Sequence, residues 1–178
     1  MIFKKPYFWD LPKPNLISYL LIPFSLPLIL RNFLSQFFKK EKSLIIKTLC
    51  VGNIYLGGTG KTPLTIKLYE ILKKLNHKVA TVKKDYSNQK DEQLLLDKKT
   101  SLIITKSRKK AIQQGLNQNL DFLIFDDGLQ EMELEFNIKF VCFKLKNWIG
   151  NGQLIPAGPI REKISSLNIG KFESGFFI

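Results

Sequence analysis

The stretch that most constrains this chain runs from residue 44 to residue 75. Residues 44–51 (LIIKTLCV) form a β-rich apolar run that closes on Gly52. Gly57-Gly58-Thr59-Gly60-Lys61-Thr62 follows, and residues 63–75 predict a helix with Leu64, Leu68, Ile71, Leu72 and Leu75 on one face. Strand, glycine loop and helix, in that order, is the setting a phosphate-binding loop needs. Glycines let backbone N–H groups converge on phosphate oxygens without side-chain obstruction. The helix turns its positive N-terminal end toward the same anion. Lys61 adds a mobile point charge for the outer phosphates of ATP, and the Thr62 hydroxyl suits the Mg²⁺ shell. The strict pattern GxxxxGK[ST] has glycine where this chain has Tyr55, so the reading rests on the Gly-Lys-Thr tail and its setting.

Further strand signals come at intervals: residues 78–83 (KVATVK), 101–105, 122–125 (FLIF) and 138–143, with a basic helix from Ser107 to about Gln114. Strands alternating with helices predict an α/β fold, a parallel sheet with helices on both faces. Ligands of such sheets bind beyond the carboxyl ends of the strands. Four hydrophobic residues followed by Asp126 and Asp127 are the Walker B arrangement, which holds Mg²⁺ directly or through water. Thr62, Asp126 and Asp127 are the candidate metal ligands.

Length and composition bound the rest. The 178 residues suffice for one core, and 44% hydrophobic with 24% charged residues argues against overall disorder. Twenty-eight basic against 15 acidic residues give a net charge of +13, which favours an anionic partner: nucleic acid, an anionic lipid surface or a phosphorylated substrate. Basic residues are spread through helices and the N-terminal flank, without a nucleic-acid-binding motif, so a basic nucleic-acid-binding domain is the weaker alternative. Cys50 and Cys142 both fall in runs predicted as strands and lack metal spacing, so both are expected to be buried reduced thiols. The single histidine, His77, falls in a helix-to-strand turn and is expected to be structural.

Residues 14–30 (PNLISYLLIPFSLPLIL) carry no charge, and basic residues flank them on both sides. No small-residue cleavage site follows, which argues against a signal peptide. The run is shorter than the roughly 20 residues of a spanning helix and contains Pro23 and Pro27. Flanking aromatics such as Tyr7, Trp9, Phe33 and Phe37 suit the headgroup boundary, so the preferred reading is an interfacial helix, with a marginal span left open. Packing on the protein's own core is the other choice. The expected division is a membrane-associated helical segment over residues 1–42 and a phosphate-loop domain over 43–178.

Five blocks, taken in order, resemble the tetraacyldisaccharide 4′-kinase family of lipid A biosynthesis. They are Pro6-Tyr7-Phe8-Trp9; the loop from Val51 to Pro63, similar to a family loop that also lacks the first Walker glycine; Asp91-Glu92-Gln93-Leu94-Leu95-Leu96; Asp126-Asp127-Gly128-Leu129-Gln130; and Gly150-Asn151-Gly152 with Pro156-Ala157-Gly158-Pro159-Ile160-Arg161-Glu162. The resemblance covers about residues 6–165, the N-terminal half of the family. It implies transfer of the ATP γ-phosphoryl group to the 4′-hydroxyl of a tetraacyldisaccharide 1-phosphate, on the cytoplasmic face of the bacterial inner membrane. It implies catalytic roles for Asp91 and Lys61. Nucleotide contacts would come from Tyr55, Leu56, Gly57, Gly58, Thr59, Gly60, Lys61 and Thr62, and substrate contacts from Glu92, Gln130 and Arg161. The partners implied are the glycolipid substrate and an anionic membrane surface, not nucleic acid. Without the resemblance, Asp91-Glu92 reads as an acidic pair at a helix N-terminus.

The chain departs from the family pattern in four places, one of them an unusually short loop before Asp91. Lys83-Lys84-Asp85-Tyr86 stands where the family has Ser-Arg-Gly-Tyr, and Lys84 keeps arginine's charge but not its planar fork. Glu131 stands where the family has histidine. The family's C-terminal half, which closes over the cleft and supplies a histidine partner for the catalytic aspartate, is expected to be missing. The implied alternative is a truncated ATP-binding membrane protein of the same family, weak or inactive as a kinase.

Overall fold

The structure is a computed structural model that describes residues 5–35, 37, 41–43, 45–85, 90–130, 134–146 and 148–164. Tyr86, Glu131 and the last stretch, residues 168–178, therefore lie outside the described residues. The chain divides into two compact units, one of residues 1–38, 53–59 and 142–178, the other of 39–52 and 60–141. The division falls inside the glycine loop, between Thr59 and Gly60.

In the first unit, a 3₁₀ turn at Tyr7–Asp10 precedes α1 (Leu16–Leu21), a 3₁₀ turn at Ile22–Ser25 and α2 (Leu26–Leu34). The Asn15 side chain caps α1 by accepting from the Ser18 N–H at 3.0 Å. Pro23 and Pro27 each fall in the first turn of their element, where the missing N–H breaks no hydrogen bond. The helical run therefore continues through both prolines, and residues 16–34 are long and apolar enough, by length and composition alone, to cross a membrane. Its leucines and phenylalanines are mostly exposed, whereas Ser18 and Ser25 are buried. Ser25 donates to the Leu154 carbonyl at 3.1 Å, and the Asn151 amide donates to Ser18 Oγ at 2.9 Å.

Residues 150–161 complete this unit by backbone pairing. Leu56 N–H donates to the Pro159 carbonyl at 2.8 Å, Arg161 N–H to Ile54 at 2.8 Å, and Tyr55 forms an antiparallel bridge with Ile160. Trp9 is buried, and its indole N–H donates to the Pro156 carbonyl at 3.0 Å. Gly150 has φ +58°, and a Cβ there would lie 2.0 Å from the Trp9 carbonyl oxygen, so both the conformation and the close approach require glycine.

The second unit begins with β1 (Glu41–Lys42) and β2 (Lys47–Gly52), then α3 (Lys61–Lys74), β3 (Val79–Lys84) and α4 (Lys90–Lys99). It continues with β4 (Leu102–Thr105), α5 (Arg108–Asn117), β5 (Phe122–Asp126), β6 (Leu134–Glu135) and β7 (Ile138–Val141). Five strands form one parallel sheet in the order β4-β3-β5-β2-β7, and β1 pairs with β6 in a separate two-residue ladder. This is the predicted α/β architecture. Central strands β2, β3 and β5 are buried along nearly their whole length, which explains their continuous apolar sequences. Ile46, Cys50, Val82, Leu123, Phe125 and Phe136 belong to one core cluster, and α5 closes on it at Gly115, where a Cβ would lie 2.9 Å from Ile46 and 3.1 Å from Leu123.

Two expectations differ. The fully buried residues of α3 are Thr62 and Thr65, while of the predicted apolar face Leu64, Leu68 and Leu72 are half-buried and Ile71 and Leu75 are exposed. The glycine loop fixes where the helix starts, and that start turns the threonine side toward the end of β5. Strand β7 stops at Val141, so Cys142 follows the strand and is only half-buried.

Candidate functional site

Gly60 ends the glycine loop in a left-handed conformation (φ +80°) and serves as N-cap of α3. Its freedom there lets the loop turn directly into the helix. At Gly57, Gly58 and Gly60, no atom of the described residues beyond the immediate chain neighbours stands within 4 Å of where a Cβ would be. The Thr59 hydroxyl is buried without a hydrogen-bond partner among the described residues. Open glycines beside an orphaned buried hydroxyl suit a ligand rich in hydrogen-bonding oxygens.

Within the second unit, the ends of β2 and β5 lie side by side, with Val51 in register with Asp126. Asp126 is 2% exposed. Its Oδ2 lies 3.4 Å from Thr62 Oγ1 and its Oδ1 lies 3.4 Å from Thr65 Oγ1. Spacing of three along α3 puts both hydroxyls on one face. Asp127 takes φ +64°, an uncommon conformation for a residue with a side chain, held by its N–H to the Val51 carbonyl at 2.8 Å. The Arg108 guanidinium donates to the Asp127 carbonyl at 2.7 Å. Asp127 Oδ1 stands 3.9 Å from Lys61 Nζ. The strand end thus aims one acid inward at the helix threonines and the next at the loop lysine.

Lys83 completes the cluster. Its side chain is 1% exposed, and Nζ lies 2.7 Å from Asp126 Oδ2 and 2.5 Å from Glu92 Oε2. Burial by itself would lower the Lys83 pKa, but the Asp126 charge and the hydrogen bonds to Asp126 and Glu92 outweigh it and hold the ammonium above the ordinary lysine range. Glu92 and Asp91 occupy the first turn of α4, where acids complement the helix dipole. Asp91 is exposed.

Lys61, Thr62, Asp126 and Asp127 are therefore brought together as the sequence predicted, and Glu92 joins them through Lys83. Gln130 is half-buried in the turn after β5. Arg161 belongs to the first unit, where its N–H meets Ile54 and its carbonyl accepts from the Asn32 side chain at 3.0 Å. Tyr55 is buried in that unit, its hydroxyl bonded to Asp10 and to Lys5. Burial and the Asp10 hydrogen bond push its pKa up. His77 sits with Nδ1 3.8 Å from Asp121 Oδ2 and its ring against Phe122, a structural setting. Lys83, Thr65 and Arg108 were missed. The usable signal was an acid and a lysine at the ends of neighbouring buried strands.

Mg²⁺ fits this donor set. It takes a hydroxyl and one or two carboxylates and fills its octahedron with waters and phosphate oxygens. Among the described residues no cluster of three or more acidic, His or Cys side chains offers an all-protein metal cage.

A parallel sheet with a Gly-Lys-Thr loop after one strand and paired aspartates after its neighbour defines the phosphate-loop class of α/β folds. Comparison with known proteins narrows this. The family model for tetraacyldisaccharide-1-P 4′-kinase (LpxK) matches residues 17–172, and the chain belongs to that family. A tetraacyldisaccharide 4′-kinase from Pelagibacter ubique is 48% identical over 169 residues, covering 94% of this chain and 53% of the relative. One from Rickettsia canadensis is 34% identical, covering 88% and 52%. The chain spans about half the length of the curated relatives it matches. A crystal structure of LpxK from Aquifex aeolicus in complex with ATP superposes with a TM-score of 0.70 at 24% identity, covering 85% of this chain and 56% of that one, and has the same fold.

Proposed function

We propose that this chain binds ATP·Mg²⁺ through residues 55–62 and transfers the γ-phosphoryl group to the 4′-hydroxyl of a tetraacyldisaccharide 1-phosphate. The observation that carries the reading is the convergence of Lys61, Thr62, Asp126 and Asp127 at the ends of two adjacent parallel strands. The ATP held by the Aquifex relative supports the choice of nucleotide.

Loop N–H groups and the start of α3 cradle the phosphates, and Lys61 follows the charge that develops as the terminal phosphoryl leaves. Thr62, Asp126 and Asp127 are the residues that would hold Mg²⁺. When bound, that ion neutralises phosphate charge and aligns the triphosphate. Asp91, exposed on the first turn of α4, takes the proton of the attacking hydroxyl, and Glu92, Gln130 and Arg161 contact the acceptor. The exposed apolar side of α1 and α2 rests in the headgroup boundary of an anionic membrane, where a lipid acceptor is found. The basic surplus of the chain favours the same surface.

The test is transfer from γ-labelled ATP to tetraacyldisaccharide 1-phosphate in mixed micelles with Mg²⁺. Labelled disaccharide is expected, falling by about a hundredfold or more in Asp91→Asn. ATP binding without any labelled product would overturn the kinase reading and leave a nucleotide-binding member of the family.

A further inference from the structure

Asp126 already has a cation. Lys83 and Asp126 are register partners on β3 and β5, so their side chains leave the sheet on the same side. The Lys83 ammonium, buried and 2.7 Å from Asp126 Oδ2, contacts the same oxygen that faces Thr62. Its other partner is Glu92, whose side chain is half exposed. Among the described residues, Asp126, Asp127 and Glu92 stand against Lys83 and Lys61, with the Arg108 guanidinium on the Asp127 carbonyl. A divalent ion arriving at Asp126 meets a positive charge fixed beside the carboxylate it needs. How strongly that charge opposes the ion depends on how far Glu92 draws it away.

We infer that Lys83 is a positioning residue and the resident counter-ion of Asp126, setting how tightly the nucleotide site holds a divalent cation, with Glu92 as its counterweight. The inference rests on the nucleotide reading above. Lys83 neither touches the acceptor nor transfers a proton in this role. It holds the Asp126 carboxylate oriented and charge-balanced before the metal arrives, and it yields part of that carboxylate when the metal binds. Because Glu92 follows Asp91 in the first turn of α4, the same bridge fixes that turn against the end of β5.

The experiment titrates Mg²⁺ into the full chain holding a fluorescent ATP analogue, in the wild type, Lys83→Met, Lys83→Arg and Glu92→Gln. Removing the buried positive charge in Lys83→Met is expected to tighten Mg²⁺ half-saturation by about tenfold. Glu92→Gln leaves the ammonium wholly to Asp126 and is expected to weaken it by about threefold or more. Lys83→Arg keeps the charge and is expected to stay within about twofold of the wild type. A purely structural bridge would move Met and Gln variants in the same direction, or neither, and that result overturns the inference. Should Lys83→Met fail to fold, Glu92→Gln decides alone, and unchanged or tighter Mg²⁺ binding refutes the role. If the wild type holds no nucleotide at all, the functional reading falls and this inference with it; nucleotide binding with unsplit variants removes only the inference.

Discussion

The strands of the second unit and the helical run of residues 16–34 treat apolar side chains in opposite ways. In β2 and β5 nearly every residue is buried, and Leu49, Val51, Leu123 and Ile124 are removed from solvent by their own fold. Along residues 16–34 the inward positions are Ser18 and Ser25, each hydrogen-bonded, while Leu16, Leu20, Phe24 and Leu30 face outward. Hydrogen bonds of this kind fix the run's orientation without using its hydrophobicity. A strand sequence of this composition is accounted for by the protein's own core. The helical sequence is not buried by the described residues, and its exposed apolar face is what the proposed membrane association would use.

The contrast can be broken most directly in the sheet. Leu123→Ala, at a fully buried position of central strand β5, is expected to cost about 2–5 kcal/mol in denaturant unfolding, from lost burial and the cavity left behind. A cost below about 1 kcal/mol would mean that β5 is not packed as described.

A smaller effect comes from Cys50 on β2. Burial pushes its thiol from the ordinary value of 9.0 up to about 12. Below pH 9 both folded and unfolded chains keep the proton, and that contribution to stability is fully present. Between pH 9 and 12 the unfolded chain releases the proton while the folded chain retains it, so stability falls as pH rises. The loss is expected to reach about 1 kcal/mol by pH 10 and to vanish in Cys50→Ala, as read from unfolding midpoints across pH. An identical alkaline slope in wild type and variant would place the titrating group elsewhere.

The smallest stability change belongs to the helical run. Leu20→Ser with Phe24→Ser is expected to alter unfolding stability by no more than about 0.5 kcal/mol, because both side chains are already exposed. The same double variant is expected to lower partitioning onto anionic vesicles by about tenfold or more. Equal vesicle binding by the two proteins would sever the apolar face from the membrane.

Much of the sheet was legible because parallel strands covered on both faces leave long apolar runs, and because turns and acids punctuate them. The loop was legible because Gly-Lys-Thr between a strand and a helix is a local pattern. What escaped depended on distant partners. Lys83 reads as a solvated strand end until β3 is placed beside β5, where its register partner is Asp126. Thr65 reads as an ordinary helix residue until Asp126 is set 3.4 Å away. Leucine spacing finds the half-buried Leu64, Leu68 and Leu72 of α3 but not the fully buried Thr62 and Thr65, whose side is set by where the glycine loop starts the helix. Ser18 and Ser25 carry no sequence signal of burial, since their partners Asn151 and Leu154 lie more than a hundred residues away. Asp91 drew attention through family resemblance alone, because an acid in the first turn of a helix is ordinary.

The central claim is that Lys61, the first residue of α3 after the glycine loop, is a phosphate-binding group. Its most direct test is the dissociation constant for ATP with Mg²⁺ by isothermal titration, wild type against Lys61→Ala, with circular dichroism showing both folded. The account predicts affinity weakened by about ten- to a hundredfold, the loss of one charge-assisted contact. Affinity within about twofold of the wild type would contradict it.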